Sequence, residues 1–246
     1  MQGQVFYYRA MPEPSVSSEF EVRRERTESA RLDNFVDGAF AFAITLLLIS
    51  GATMPRDVAA LEHALLGVPA FAVCFAQLAW FWHAHVRWRD TVRLTDRVSL
   101  VLSLLLVFFA LIFVFPLHLV YAGFFNGISG GMLSPDVTRL TGSTIGTAAL
   151  FACYGLSYAC MAGTLATLYR HGARTAAWLD WKESDSVRVR SVIFTYVAAV
   201  GLFSALLALV LPGQLTGLSG SAYFLLVLIG PVAKYYRSHL KAKLPP

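Results

Sequence analysis

The chain has 246 residues, of which 57% are hydrophobic and 14% are charged, and its mean hydropathy is +0.59. This composition excludes an ordinary soluble domain, in which about a quarter of the residues are charged. The formal net charge is +5 at pH 7. Because the basic residues lie between hydrophobic stretches, contact with membrane lipid headgroups explains this excess, and binding to nucleic acid is not indicated.

Five long charge-free stretches predict the membrane-spanning helices. A span needs about 20 apolar residues, so each of the first four stretches predicts one helix. The fifth stretch, residues 191–233, is long enough for two helices, and Pro212-Gly213 supplies a break between them. The six predicted helices are at residues 34–53, 61–86, 98–122, 143–169, 191–211 and 217–236. No secretory signal is expected, since a charged segment of about 30 residues precedes the first span.

The predicted helices divide the chain into three parts. Residues 1–30 are predicted to form a cytoplasmic N-terminal arm, residues 31–240 a six-helix transmembrane domain, and residues 241–246 a C-terminal tail. The mixed-charge run at residues 19–28 is compatible with a solvated helix on the membrane surface. The Gly-rich and Ser-rich stretch at residues 123–144 predicts a flexible extracellular connection.

The distribution of basic residues predicts the orientation in the membrane. Arginines and lysines precede the first helix, fill the connection between the second and third, and follow the fourth and sixth. The opposite side carries only Arg56 and Arg139. The positive-inside rule therefore predicts that both termini are cytoplasmic.

Asp37 stands at the entrance of the first predicted span, because residues 38–55 carry no charge. Ionisable groups at membrane depth are costly and usually face a protein interior or a water-filled path. On a helical wheel, Phe42, Leu46 and Ile49 form one apolar stripe, and Asp37 points away from it. If the stripe faces a pore, Asp37 faces neighbouring helices and stabilises the bundle. The alternative is that the stripe packs against other helices or lipid.

The second predicted helix ends in Trp80-Phe-Trp-His-Ala-His-Val-Arg87. His83 and His85 are two residues apart, which places their rings on different sides of a helix. No further ligands are evident, so neither a metal site nor another cofactor is predicted, and the aromatic and basic residues fit a membrane interface. A more specific alternative is a contact between His85 and Asp37, which lie at the cytoplasmic ends of adjacent helices.

No sequence pattern indicates an enzyme. The chain lacks the Gly-x-Ser-x-Gly and His-Glu-x-x-His motifs of hydrolases, and no pair of carboxylates lies within the predicted spans. It also lacks the Thr-Val-Gly-Tyr-Gly carbonyl filter of ordinary potassium channels.

The first helix nevertheless carries a family signature. Arg31-x-x-x-Phe35-x-Asp37-Gly, followed by Phe-Ala-Phe-Ala-Ile-Thr-Leu-Leu, resembles the Arg-x-x-x-Phe-Ser-Asp signature of the transmembrane protein 175 family. That family includes the potassium channel of lysosomes and its prokaryotic relatives. The resemblance covers residues 28–120, and the later helices match mainly in hydropathy. It continues through Trp82-His-Ala-His85-Val-Arg87, Asp96-Arg97 and Phe113-Val-Phe-Pro116.

The resemblance implies a homotetramer in a prokaryotic plasma membrane, in which four copies of the first helix line a pore for potassium ions. By position, the pore constriction would consist of Phe42, Leu46 and Ile49, and the Thr45 hydroxyl would contribute to selectivity. A polar network would hold the helix in place. Its members, again by position, would be Arg31, Phe35, Asp37, Trp82 and His85.

Two positions depart from the family pattern. Val36 stands where the signature has Ser, which removes a hydroxyl from the network. Phe42 stands where the first constriction usually has Ile or Leu, and four phenyl rings form a larger hydrophobic barrier that gates by excluding water. We therefore expect a potassium-permeable cation channel with low conductance.

Two other functions are compatible with the sequence. A proton- or ion-coupled secondary transporter could use Asp37 and His85 as a relay, although the inverted repeats and interrupted helices typical of such carriers are not evident. A membrane scaffold without transport activity would use the stripe on the first helix only for packing.

Overall fold

A computed structural model describes residues 16–50, 56–134, 144–212 and 215–241. In this part of the chain all regular structure is helical, as predicted. Five helical segments are long and apolar enough to cross a membrane, and the bent pair α2 and α3 raises the number to six. The elements are α1 (Val16–Ser50), α2 (Val58–Leu65), α3 (Val68–Val92), α4 (Arg97–Ile128), α5 (Thr144–Thr175), α6 (Trp181–Val210), a 3-10 segment (Thr216–Leu228) and α7 (Ile229–Lys241).

Several helices extend beyond the charge-free stretches that predicted them. α1 begins at Val16, inside the predicted N-terminal arm. The rest of that arm, residues 1–15, and residues 242–246 of the predicted C-terminal tail lie outside the described residues. Glu and Arg are good helix formers, so a charged run ends an apolar span without ending the helix. α3 similarly continues to Val92, where Arg93 adopts a left-handed conformation with φ of 52°.

The second predicted span is divided into α2 and α3, which are bent by 49°. Pro69 lies in the first turn of α3, two residues after the N-cap residue Gly67. Proline has no N–H to donate and is favoured in the first turn of a helix, where that donor would be unused. The Gly-Val-Pro sequence therefore ends one helix and begins the next, which a count of apolar residues does not show.

The C-terminal end of α4 is ordered by local hydrogen bonds. α4 continues to Ile128, six residues past its predicted end. In the predicted connection that follows, residues 135–143 lie outside the described residues. Gly130 and Gly131 have φ of 63° and 93°, a region in which residues with side chains are strained. The Gly131 N–H donates to the Asn126 carbonyl at 2.9 Å, which closes the helix end.

A polar and aromatic cluster joins the middle helices of the subunit. Tyr121 Oη on α4 donates to Gln77 Oε1 on α3 at 2.8 Å, and Gln77 Nε2 donates to Tyr154 Oη on α5 at 3.1 Å. The Tyr223 ring in the 3-10 segment lies 5.2 Å from that of Tyr154, in an edge-on arrangement. The two hydrogen bonds pair the polar groups of Gln77, Tyr121 and Tyr154 inside an apolar bundle, and the ring contact of Tyr223 attaches the last span to α5.

Glycine allows α5 and α6 to approach closely. A Cβ atom added to Gly155 would lie 2.6 Å from the Gly201 carbonyl oxygen, and one added to Gly201 would lie 2.9 Å from the Gly155 carbonyl oxygen. Ala159 and Ala205 follow four residues later on each helix, which extends the stripe of small residues. Such stripes let membrane helices pack with their backbones in contact.

This contact predicts opposite effects for two glycine substitutions on the same helix. Gly155→Ala should destabilise the protein, because overpacking a tight contact costs about 1–3 kcal/mol. Gly163→Ala should be neutral or stabilising, because nothing lies within 4 Å of an added Cβ and alanine has the higher helix propensity. Thermal unfolding of the purified protein in detergent measures both, and equal effects at the two positions would contradict the close contact.

Candidate functional site

α1 buries one face against its own subunit. Val36, Phe40, Ala43 and Leu47 are each 2% exposed or less. Their spacing of i, i+4, i+7 and i+11 places them on one side of the helix. This side packs against α3 and α4, so the orientation of α1 about its own axis is fixed by the subunit.

The opposite face of α1 is left uncovered by the subunit. Phe35, Phe42 and Ile49 are 55%, 56% and 65% exposed, and their spacing of seven residues places them along one line. Thr45 is also exposed, one turn from Phe42. Leu46 is half-buried and packs against the core at the edge of this face. The predicted constriction residues therefore lie on or beside a face that no other part of the described subunit covers.

The Thr45 side chain presents an oxygen on this face. Thr45 Oγ1 donates a hydrogen bond to the Ala41 carbonyl oxygen one turn earlier, at 3.0 Å. A hydroxyl group that donates its proton keeps lone pairs that can accept or coordinate. Thr45 can therefore offer an oxygen to a cation without breaking its backbone hydrogen bond.

Arg89 joins three parts of the structure at one end of α1. Its side chain is 7% exposed, and its Nε atom donates to Asp33 Oδ1 on α1 at 2.6 Å. Its two Nη atoms donate to Asp33 Oδ2 at 3.3 Å, to Ser29 Oγ, and to the Leu94 carbonyl oxygen at 2.5 Å. A two-bond contact between Arg and a carboxylate is strong and directional. It fixes α1 to α3 and to the turn between α3 and α4.

A second contact attaches α1 to α3 one turn further into the span. Trp82 Nε1 donates to Asp37 Oδ1 at 2.7 Å. His85 is 1% exposed, and its Nε2 atom lies 3.0 Å from Ser103 Oγ on α4. The predicted contact between His85 and Asp37 is therefore replaced by two separate hydrogen bonds. Asp37 accepts from Trp82, and the His85 ring contacts α4.

The remaining two residues of the predicted network lie on the open side of α1. Arg31 is exposed, and Phe35 lies on the uncovered face. Of the five residues predicted to form the network, Trp82 and Asp37 are joined by a hydrogen bond in the described part of the subunit. Arg31 and Phe35 are not covered by the described part of the subunit.

The ion pair of Asp33 and Arg89 was not predicted from the sequence. Asp33 and Asp37 are four residues apart, and so are His85 and Arg89, so each pair lies on one helix face. Two acidic residues on one helix and a His-Arg pair on its antiparallel neighbour are a signal that could have identified the contact. Asp33 was not singled out from the sequence, because it lies before the charge-free stretch that begins at Gly38.

The turn between α3 and α4 is also attached to α5. Asp96 Oδ2 lies 2.8 Å from His171 Nε2, and Asp96 Oδ1 accepts from Ser99 Oγ at 2.5 Å. Burial disfavours the charged carboxylate, but the hydrogen bonds from Ser99 and His171 outweigh this and lower the pKa of Asp96. Since the folded pKa is the lower one, the stabilisation is present at neutral pH and is lost as acid titrates Asp96.

Metal binding has no evident site in the described part of the chain. Among those residues, no group of three or more His, Cys, Asp and Glu side chains is placed to hold a metal ion. Asp33, Asp37 and His85 are instead hydrogen-bonded to other protein groups, and these contacts orient α1.

Three comparisons with known proteins each find similarity to potassium channels. Residues 31–116 match the sequence model of the family described as endosomal/lysosomal potassium channel TMEM175. A potassium channel of Marivirga tractuosa is 29% identical over 211 residues, which cover 82% of this chain and 85% of that protein. The crystal structure of a variant of the potassium channel MtTMEM175, in complex with a Nanobody-MBP fusion protein, superimposes with a TM-score of 0.69. It is 26% identical, and the match covers 87% of this chain and 94% of that chain.

The contacts of α1 predict that Asp33 matters more for stability than Asp37. Asp33→Asn removes the negative charge beside the buried Arg89 and one of the two oxygens that accept from it, and a lost hydrogen bond to a charged group costs about 1.5–3 kcal/mol. Asp37→Asn keeps an oxygen that accepts from Trp82, so its effect should be smaller. Unfolding in detergent compares the two variants. A larger loss for Asp37→Asn would show that Arg89 does not hold the helix.

Proposed function

Since this chain belongs to the TMEM175 family of potassium channels, we propose that it is a potassium-permeable cation channel whose pore is lined by α1. Members of this family transport ions and are not enzymes, which agrees with the absence of hydrolase motifs in the sequence. The proposal places the protein in the plasma membrane of a prokaryote, with both termini in the cytoplasm, in agreement with the distribution of basic residues.

The uncovered face of α1 is the observation that carries this proposal. Besides Phe42 and Ile49, this side of the helix exposes Asn34 and Thr45. Polar groups at membrane depth are costly against lipid and usually face a protein interior or a water-filled path. A lipid-facing helix would also not need the precise orientation that the Asp33–Arg89 pair imposes on α1. The face therefore fits an axis shared with other copies of the chain.

We propose a homotetramer with α1 of each subunit around the central axis. Phe42, Leu46 and Ile49 would form successive apolar rings. Because Phe42 and Ile49 are more exposed than the half-buried Leu46, they would make the narrower rings in the orientation that the subunit imposes. The pore would have no carbonyl filter, and Thr45 would supply the oxygen nearest to the rings.

Gating in this proposal is a wetting transition at the rings. A hydrophobic constriction excludes water and ions until it widens, and phenyl rings at Phe42 offer no oxygen to replace the hydration shell of potassium. The hydrogen bonds of α1 to α3 would transmit any movement of the subunit to the rings. Arg31 and Phe35, which face away from the subunit, would then lie where neighbouring copies meet.

The Phe42 ring is expected to limit the potassium flux. Phe42→Ala should widen and wet the constriction, raise flux in proteoliposomes, and weaken discrimination between potassium and sodium. Phe108→Ala is a matched control, because Phe108 lies on α4 and has the same exposed fraction of 56%. Ile44→Ala is a second control, since Ile44 packs against the subunit core. Equal effects of Phe42→Ala and Phe108→Ala would contradict a ring of Phe42 side chains.

Assembly around α1 is tested by crosslinking. In a background without Cys74, Cys153 and Cys160, Ile49→Cys should give disulfide-linked dimers under mild oxidation, because the side chains meet near the axis. Phe224→Cys should remain uncrosslinked, since Phe224, 77% exposed, lies on the last span. Native mass measurement should give a tetramer. A monomer without crosslinks in both detergent and nanodiscs would contradict the proposed pore.

A further inference from the structure

The turn between α5 and α6 holds two tryptophan side chains outward. The indoles of Trp178 and Trp181 are 59% and 57% exposed. Between them, Leu179 packs against the subunit core, and Asp180 and Glu183 form a reciprocal capping box in which the Asp180 side chain accepts from the Glu183 N–H at 2.7 Å. An ordered backbone therefore presents both indoles, and the apolar residue of the turn is already used inside the subunit.

Basic residues lie on both sides of these tryptophans along the chain. Arg174 in the last turn of α5, and Lys182 and Arg188 in the first turns of α6, are all exposed. Asp180 and Glu183 are also exposed, but both carboxylates accept backbone N–H groups at the start of α6, and Asp185 is half-buried. The exposed side chains beside the indoles that make no such local hydrogen bonds are therefore basic.

The cationic surface continues onto α7. Tyr196 Oη on α6 donates to the Leu225 carbonyl oxygen in the last span at 2.8 Å, which sets the register of these two antiparallel segments. Moving along both chains towards the α5–α6 turn, Arg188 lies eight residues before Tyr196, and Lys234 lies nine residues after Leu225. The two residues thus lie at similar membrane depth, and Lys234 and Arg237 are both exposed.

The position of this surface identifies its partner. The charge-free stretches of α5 and α6 end at Tyr169 and begin at Ser191, so the turn lies outside the hydrocarbon region, at the level of the lipid headgroups. Indoles favour that level, and basic residues beside it attract anionic headgroups. We propose that Arg174, Trp178, Trp181, Lys182, Arg188 and Lys234 form a headgroup surface that selects anionic phospholipids. The proposal requires insertion in a membrane and is independent of ion permeation.

Quenching by brominated lipid tests this selection in the full-length protein. The protein is placed in nanodiscs of phosphatidylcholine with a minor fraction of phosphatidylglycerol, and an equal amount of either lipid is brominated. Tryptophan fluorescence is measured for the unmodified protein and for the Trp178→Phe/Trp181→Phe double variant, which keeps the other tryptophans. The difference between the two is the fluorescence of the two indoles. Brominated phosphatidylglycerol should quench this fluorescence as strongly as if its concentration near the indoles were roughly five times its average in the nanodisc. A fivefold enrichment corresponds to about 1 kcal/mol, the attraction of one basic residue to an anionic membrane surface.

Charge variants separate headgroup selection from simple proximity to lipid. The Arg174→Gln/Lys182→Gln/Arg188→Gln variant should quench equally with both brominated lipids, and so lose the enrichment. Arg56→Gln is a matched control, because Arg56 is exposed and lies on the predicted opposite side of the membrane, and it should keep the full enrichment. Equal quenching by the two lipids in the unmodified protein would overturn the proposal. Absence of quenching by either lipid would also overturn it, since the indoles would then face protein or water.

Discussion

The contact of Arg89 with Asp33 is the constraint on which the orientation of α1 depends. The guanidinium is 7% exposed and reaches α1 and the Leu94 carbonyl oxygen at the end of α3. A buried arginine is tolerated only when its donors are satisfied, so α1 cannot rotate or slide without leaving this charge unpaired. Together with the Trp82–Asp37 bond, it provides two fixed points one turn apart. A helix held at two points on one side presents its other side in a defined direction.

Because α1 has a fixed orientation, the residues on its uncovered face point in one defined direction. Along α1, Val36 and Leu47 are fully buried, whereas Phe42 and Ile49 are 56% and 65% exposed. A helix with lipid on one side needs no polar residue there, yet Thr45 lies on the exposed side with a hydroxyl oxygen available. The combination of exposed apolar side chains, one hydroxyl and a rigid attachment supports the proposed narrow path for a cation over a packing surface. In a family of potassium channels, this is the simplest function that uses all three features.

The sequence was sufficient for an all-helical membrane fold and for the exposure of Phe42 and Ile49 on α1, but not for the helix ends and the contacts between helices. Hydropathy locates apolar spans, because membrane insertion depends on the apolar length. It does not locate the break before Pro69, which depends on the missing proline N–H. The i, i+7 spacing of Phe42 and Ile49 follows from helix geometry alone and agrees with their exposure. Whether Asp37 meets Trp82 or His85 depends on the rotation of α3 and on side-chain reach, which one sequence does not determine.

Potential-driven potassium uptake by proteoliposomes that contain only the purified protein tests the central claim most directly. The account predicts passive uptake that follows the membrane potential, continues without a proton or sodium gradient, and is slow because the rings are apolar. Uptake that stops when a proton or sodium gradient is removed would contradict a pore and indicate a carrier. Absence of uptake at any potential would leave α1 a packing helix and contradict the account altogether.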